Sequence, residues 1–160
     1  MARELGIPHG VFRIEKRAVD DNGVVVDTPF ETIEKLNSYT NVGGAIMLDL
    51  LIGAAVTNFS NSNAYLGSGD TSTAFAVGQT DLQAPTNKLR KAMDSTFPSR
   101  SGQVLTFKST FGTSEANWIW NEIAVFNASS SGTMLCRAVA NYGTKTSAAA
   151  WTLSYTLTIP

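Results

Sequence analysis

The chain has 160 residues, 43% of them hydrophobic and only 16% charged, against a usual charged share of roughly 25%. Its 12 basic and 13 acidic residues leave a net charge of −1, so no electrostatic footprint for nucleic acid stands out. One cysteine, Cys136, excludes a disulfide framework and a CxxC-type zinc site, and one histidine, His9, excludes His-rich metal sites.

Ser and Thr together number 33, with 11 Asn beside them, so most of the polarity is uncharged. A single domain of this length buries about 70% of its unfolded surface, enough for a core without staples. These counts weigh against several kinds of enzyme and favour a structural or binding protein. Met1–His9 has no apolar core of the secretory type and carries an acid early, so the chain is expected to be made in the cytoplasm without a signal peptide. The most apolar run, residues 43–56, is shorter than the ~20 residues of a membrane span and has Asp49 in its middle. A soluble protein with no membrane partner is expected.

Residues 10–18 read as a strand with Phe12 and Ile14 on one side. Asp20-Asp-Asn-Gly23 is a turn, and Val24–Val26 resumes a strand, which together predict a hairpin. Thr28-Pro29-Phe30-Glu31 has the marks of a helix start, with Phe30, Ile33 and Leu36 on one helical face. Residues 1–40 are thus expected to form an N-terminal arm of a hairpin plus a short helix. A second helix is predicted over 43–55, apolar most of the way round and so buried on several sides. Ala64–Gly67 reads as a short strand, and Thr86–Met93 as a third helix ended by Phe97-Pro98.

From residue 102 the period changes to two. Strands are predicted over 105–111, 118–126, 134–140 and 151–159. The last is the clearest, with Trp151, Leu153, Tyr155, Leu157 and Ile159 alternating with hydroxylated residues, as in a one-sided antiparallel strand. The fold class expected is mainly β, an antiparallel, jelly-roll-like sandwich over 41–160 with a few short helices and the N-terminal arm.

Few residues carry chemistry. His9 fits a local loop or interface role, and Cys136 a small buried hydrophobe within its strand. Glu122 sits mid-strand in an apolar run with no second carboxylate or histidine nearby in sequence. It is expected to pair with Arg137 across the hairpin rather than act as a general acid or base. Gly67-Ser-Gly-Asp70 is an incomplete phosphate loop with no following Lys. Asp20, Asp21 and Asn22 lack EF-hand spacing and read as a solvated turn. Lys88, Arg90 and Lys91 read as a solvated helix face or a protein-contact rim. No reaction centre assembles from these parts, and no enzyme activity, metal or cofactor is expected.

The order of segments carries a resemblance. An Asn41-Val-Gly-Gly44 start precedes the apolar helix. Ala64-Tyr-Leu-Gly-Ser-Gly-Asp70, Thr80-Asp-Leu82 and Arg90 follow, then Leu105–Phe111, Trp118-Ile-Trp-Asn-Glu-Ile-Ala-Val-Phe-Asn127, Gly132–Arg137, Lys145-Thr146 and Leu153–Thr158. Over about residues 41–160 this resembles a family of tailed-bacteriophage virion proteins, which includes capsid decoration (cement) proteins and the N-terminal regions of tail-collar fibres.

The resemblance implies a β-rich, jelly-roll-like fold, assembly as a homotrimer, no catalysis, and a place on the outer capsid surface of a virion. The partner implied is the major capsid protein, whose subunits the chain would bridge and stabilise. The end of the chain directly after its last strand favours the decoration protein over a fibre. Residues 1–40 are expected to grip the capsid or to swap between subunits. A tail, collar or baseplate structural protein is the alternative. A carbohydrate-binding jelly roll is a second one, with Trp118 and Trp120 as a sugar platform on one strand face. Candidate assembly or core contacts are Trp118, Trp120, Trp151, Tyr155, Glu122 and Arg137, with burial of the tryptophans against one another as the simpler role.

Overall fold

The computed structural model describes residues 9–160. The first eight residues of the expected arm, and most of the segment read for a signal peptide, lie outside the described residues.

Two five-stranded antiparallel sheets enclose one main core. The first sheet contains β1 (His9–Ala18), β2 (Glu31–Leu36), β6 (Ser99–Ser101), β7 (Val104–Phe111) and β10 (Ala149–Thr158), in the order β2-β1-β10-β7-β6. The second contains β3 (Ser38–Tyr39), β4 (Tyr65–Gly69), β5 (Lys88–Ala92), β8 (Glu122–Phe126) and β9 (Met134–Val139), in the order β3-β9-β8-β4-β5. This is the β-sandwich that the alternating strands imply.

From His9 onward the expected arm is part of the sandwich. Alternation in β1 buries Phe12 and Ile14 in the core, and β1 pairs along the whole of β10, from His9 opposite Thr158 to Ala18 opposite Ala149. The hairpin partner of β1 is β2, in place of the helix expected after Thr28. Its pairing satisfies more backbone groups than an isolated short helix could, and local capping signals yield to it. Val24–Val26 contributes only an isolated bridge between Val19 and Val25. The helix expected over 86–93 is also a strand, β5, hydrogen-bonded along β4.

Among the described residues one helix remains where a few were expected, α1 (Asn41–Leu51). Thr40 caps it, its hydroxyl accepting from the Gly43 amide at 3.0 Å and donating to the Met134 carbonyl at 2.6 Å. That second bond ties the helix to a β-bulge. Val125 pairs with Cys136 but Phe126 pairs with Met134, which leaves Leu135 as the extra residue. Gly43 packs directly on the bulge, where a Cβ would stand 1.9 Å from the Leu135 carbonyl oxygen. Burial of α1 on several sides does not occur. Gly43 and Ile46 are buried, whereas Leu48, Leu51 and Ile52 are 65%, 82% and 81% exposed.

The core is aromatic. Trp120 stands edge-on to Phe111 and Trp151, with ring centroids at 4.8 and 5.0 Å, and Tyr155 lies between Phe12 and Phe107 at 4.9 and 5.9 Å. No helix among the described residues is long and apolar enough to cross a membrane.

Candidate functional site

The polar groups with most chemical potential lie on the outer face of the second sheet. Every residue of β8 is buried because its outer face is also covered. The cover is the segment from Asp70 to Asn87, whose Leu82 packs with Ala124, Phe126 and Met134 in a second, smaller apolar cluster. Beneath this strap Glu122 and Arg137 form the expected ion pair, Nε to Oε2 at 2.7 Å, with both side chains fully buried. Arg137 stands directly opposite Ala124, so it reaches Glu122 diagonally across the two strands.

Both groups make further hydrogen bonds. Glu122 Oε2 also accepts from the Gln83 amide at 2.9 Å, and Oε1 accepts from the Ala84 amide at 2.8 Å. The other two Arg137 nitrogens donate to Gln79 Oε1 at 3.0 Å and to the Thr73 carbonyl at 2.9 Å. Gln79 is itself held by the Ala76 amide and the Ala74 carbonyl. The pair therefore fastens three points of the strap to the sheet. What it can do chemically is limited by that enclosure: both side chains are closed off from solvent, and the arrangement positions backbone.

Gly67-Ser-Gly-Asp70 serves the same place. Gly69 lies in β4, and a Cβ there would stand 2.3 Å from Glu122 Oε1. Its glycine is required by packing against the carboxylate, which explains the incomplete phosphate loop. The strap also meets β5. Asp81 accepts from Arg90 at 2.8 Å and from Lys88 at 3.0 Å, while Arg90 stacks 3.6 Å from the centroid of Phe126 and donates to the Ala128 and Ser131 carbonyls. Burial raises the Asp81 pKa, but these hydrogen bonds outweigh it and hold the carboxyl below its usual value. Lys91 points the other way, to Glu115 at 2.6 Å. The basic cluster is thus split over two faces of a strand, rather than one helix face, and each cation has an acidic partner.

The aromatic candidates separate in the same manner. Trp120, Trp151 and Tyr155 are core residues, and Trp118 is half-buried at its rim. The strand expected from Trp118 begins only at Glu122. Residues before it run beside 142–145, with an Ile119–Thr144 bridge and a 2.9 Å bond from the Trp120 amide to the Gly143 carbonyl. With Trp120 fully buried, its indole N–H spent on the Ala116 carbonyl at 3.0 Å, the two-tryptophan sugar platform does not form. The Tyr155 hydroxyl donates to that of Tyr39 at 3.0 Å, and burial raises its pKa.

Of the remaining candidates, His9 opens β1 opposite Thr158. Asp20 uses its Oδ1 to accept from the Asn22 and Val24 amides, which closes the turn. Cys136 is buried as expected, and burial pushes its thiol up to about 12. A thiol so placed is unreactive. A colorimetric thiol reagent is expected to leave Cys136 unlabelled in the native protein at pH 8 and to label it fully in denaturant; rapid native labelling would contradict the burial.

Two buried lysines were not anticipated. Lys16 Nζ bonds Glu31 at 2.6 Å and lies 4.4 Å from the centroid of Trp151. Lys145 Nζ donates to the Gly112 carbonyl at 2.6 Å and to Asn117 Oδ1 at 2.9 Å, and burial lowers its pKa. Lys16 carries a usable signal, since it follows Phe12 and Ile14 at the same two-residue spacing. Lys145 carries none beyond the Lys-Thr motif. Compared with protein-family models, curated proteins and solved structures, the chain matches none.

Proposed function

We propose that the chain is a virion structural protein, a capsid decoration protein that seats on the outer head surface and stabilises the shell by linking capsid subunits. The reading rests first on the ordered motifs that resemble the phage family. In the fold several of those motifs meet at one place: Gly69, the Thr80-Asp-Leu82 segment, Arg90, Glu122 and Arg137 all contribute to holding the strap on the second sheet. Residues with a shared architectural task suit a family whose work is assembly.

The observation that carries the docking role is the exposed apolar end of α1. Leu48, Leu51 and Ile52 project from a helix that Thr40 and Gly43 fix rigidly to the second sheet. Apolar side chains held on a rigid mount, with few charges to desolvate, lose little entropy on binding. Binding to the assembled head alone would stabilise it by mass action.

Purified protein added to undecorated heads of the encoding phage is expected to raise their resistance to heat or chaotrope. The double variant Leu51→Asp/Ile52→Asp is expected to fold normally and to lose that effect. Labelled protein should cover the head in many copies. Label confined to a few copies at the tail would overturn the head assignment in favour of the collar or baseplate, and no association with particles would sink both.

A further inference from the structure

The outer edge of β2 fits a second copy of itself. β2 is the terminal strand of the first sheet, so among the described residues one of its backbone edges has no strand beside it. The parity of that edge follows from the β1 pairing. Val11 faces Leu36 and Lys16 faces Glu31, and the Asn37 amide donates to Gly10, its partner in the same register, at 3.2 Å. Hydrogen-bonded and non-hydrogen-bonded pairs alternate in an antiparallel ladder. Glu31, Ile33 and Lys35 therefore direct their backbone groups to β1, and Thr32, Glu34 and Leu36 direct theirs outward.

A second β2 docking antiparallel about a two-fold axis must set these outward residues against one another. Three central registers allow it. Thr32 opposite Thr32 would set Phe30 against Glu34 and Ile33 against Glu31. Glu34 opposite Glu34 would face two carboxylates and set Ile33 against Lys35. Thr32 opposite Glu34 is the third. It places Glu31 opposite Lys35 twice and Ile33 opposite Ile33, and leaves the Phe30 side chain, which precedes the strand and whose amide is bonded to Lys16, beside Leu36 at both ends.

Phe30 and Leu36 are 63% and 68% exposed, an unusual load for an edge that natural sheets blunt with charge or proline. Glu31 uses Oε2 on Lys16, which leaves Oε1 for Lys35 of the other copy. Arg13, 3.9 Å from Glu34, offsets the charge of that carboxylate at the seam.

We propose that two copies of this chain associate through β2 in this register, with the two-fold axis at Ile33, so that their first sheets join into one. The contact is isologous and closes on itself, so it gives a dimer and not the three-fold assembly that the family resemblance implies. It lies on the first sheet and stands independently of what α1 binds.

Sedimentation equilibrium on the full chain is expected to give twice the 17.1 kDa chain mass. Lys35→Glu turns both Glu–Lys pairs into like-charge pairs and should raise the dimer dissociation constant about tenfold or more. Glu34→Pro removes an outward N–H that the intrachain ladder does not use, a position where edge strands accept proline, and should leave a folded monomer. Ile33→Cys places two thiols at a non-hydrogen-bonded pair, where Cα atoms stand about 4.5 Å apart, within disulfide reach. Mild oxidation should then yield a covalent dimer, whereas Thr32→Cys, which faces Glu34, should not. Circular dichroism checks that each variant is folded. A wild-type chain that stays monomeric at its highest soluble concentration would overturn the proposal. So would a dimer or trimer indifferent to Lys35→Glu and Glu34→Pro, or equal cross-linking from positions 32 and 33.

Discussion

Replacing Arg137 with Met is expected to remove about 3–5 kcal/mol of folding free energy, the range seen when one partner of a buried ion pair is lost. Glu122 would be left in the interior with two backbone amides and no countercharge. The same substitution frees Gln79 and the Thr73 carbonyl, so two of the three points that fasten the strap are released together. Against a total stability of about 5–15 kcal/mol, a loss of this size shifts the denaturation midpoint plainly or leaves the chain unfolded.

The second half of this prediction is a double-mutant cycle. Glu122→Gln keeps an acceptor for only one of the Gln83 and Ala84 amides, but it strands no charge, so combined with Arg137→Met it should cost less than Arg137→Met alone. Limited proteolysis should cut the single variant between residues 70 and 87 first. An Arg137→Met protein with an unchanged midpoint would show that the pair does not hold the strap.

How much of this was legible from the sequence depends on where the information sits. The last strand was legible because one face is core and the other is polar, so Trp151, Leu153 and Tyr155 alternate without interruption. The Glu122–Arg137 pair was legible because a carboxylate and a guanidinium stood on the two strands of an obvious hairpin, one diagonal apart on the same face. β2 was not. Phe30, Ile33 and Leu36 have helical spacing, but only Ile33 packs on the core, and six residues are too few for period alone to decide. β5 misleads for the same reason: Lys88-Leu-Arg-Lys-Ala consists of good helix formers, and its pairing with β4 is set by a strand nearly twenty residues earlier. The strap was hard to see because its bonds to the ion pair run largely through backbone, the Gln83 and Ala84 amides and the Thr73 carbonyl, which any sequence supplies.

Charge usage connects these points. Within a charge-poor chain, Glu122, Arg137, Lys16 and Lys145 are buried, each tied to a partner distant in sequence. Low charge on α1, whose single ionisable residue is Asp49, spares that face the desolvation cost that a densely charged surface would impose on docking. The buried charges select one arrangement of long loops around the sheets, since misplacing a loop would strand an ion in the core.

Trp120→Ala is expected to be comparably severe, about 3–5 kcal/mol, because the indole fills the junction between the two sheets. It meets Phe111 and Trp151 of the first sheet edge-on and belongs to the segment running beside residues 142–145, so its removal opens a cavity in the core against that sheet. The Ala116 carbonyl would also lose the indole N–H that it accepts at 3.0 Å. Trp120→Phe should lose less, since it keeps most of the ring contact and gives up mainly that hydrogen bond and part of the volume. Trp118 supplies the control: half-buried at the rim, its replacement by Ala should cost clearly less than that of Trp120. Thermal and guanidinium unfolding of the three variants would test the order. Equal losses at positions 118 and 120 would place the weight of the core away from the sheet junction. Sugar binding abolished by Trp120→Ala in a chain of undiminished stability would restore the platform that burial of this indole removes.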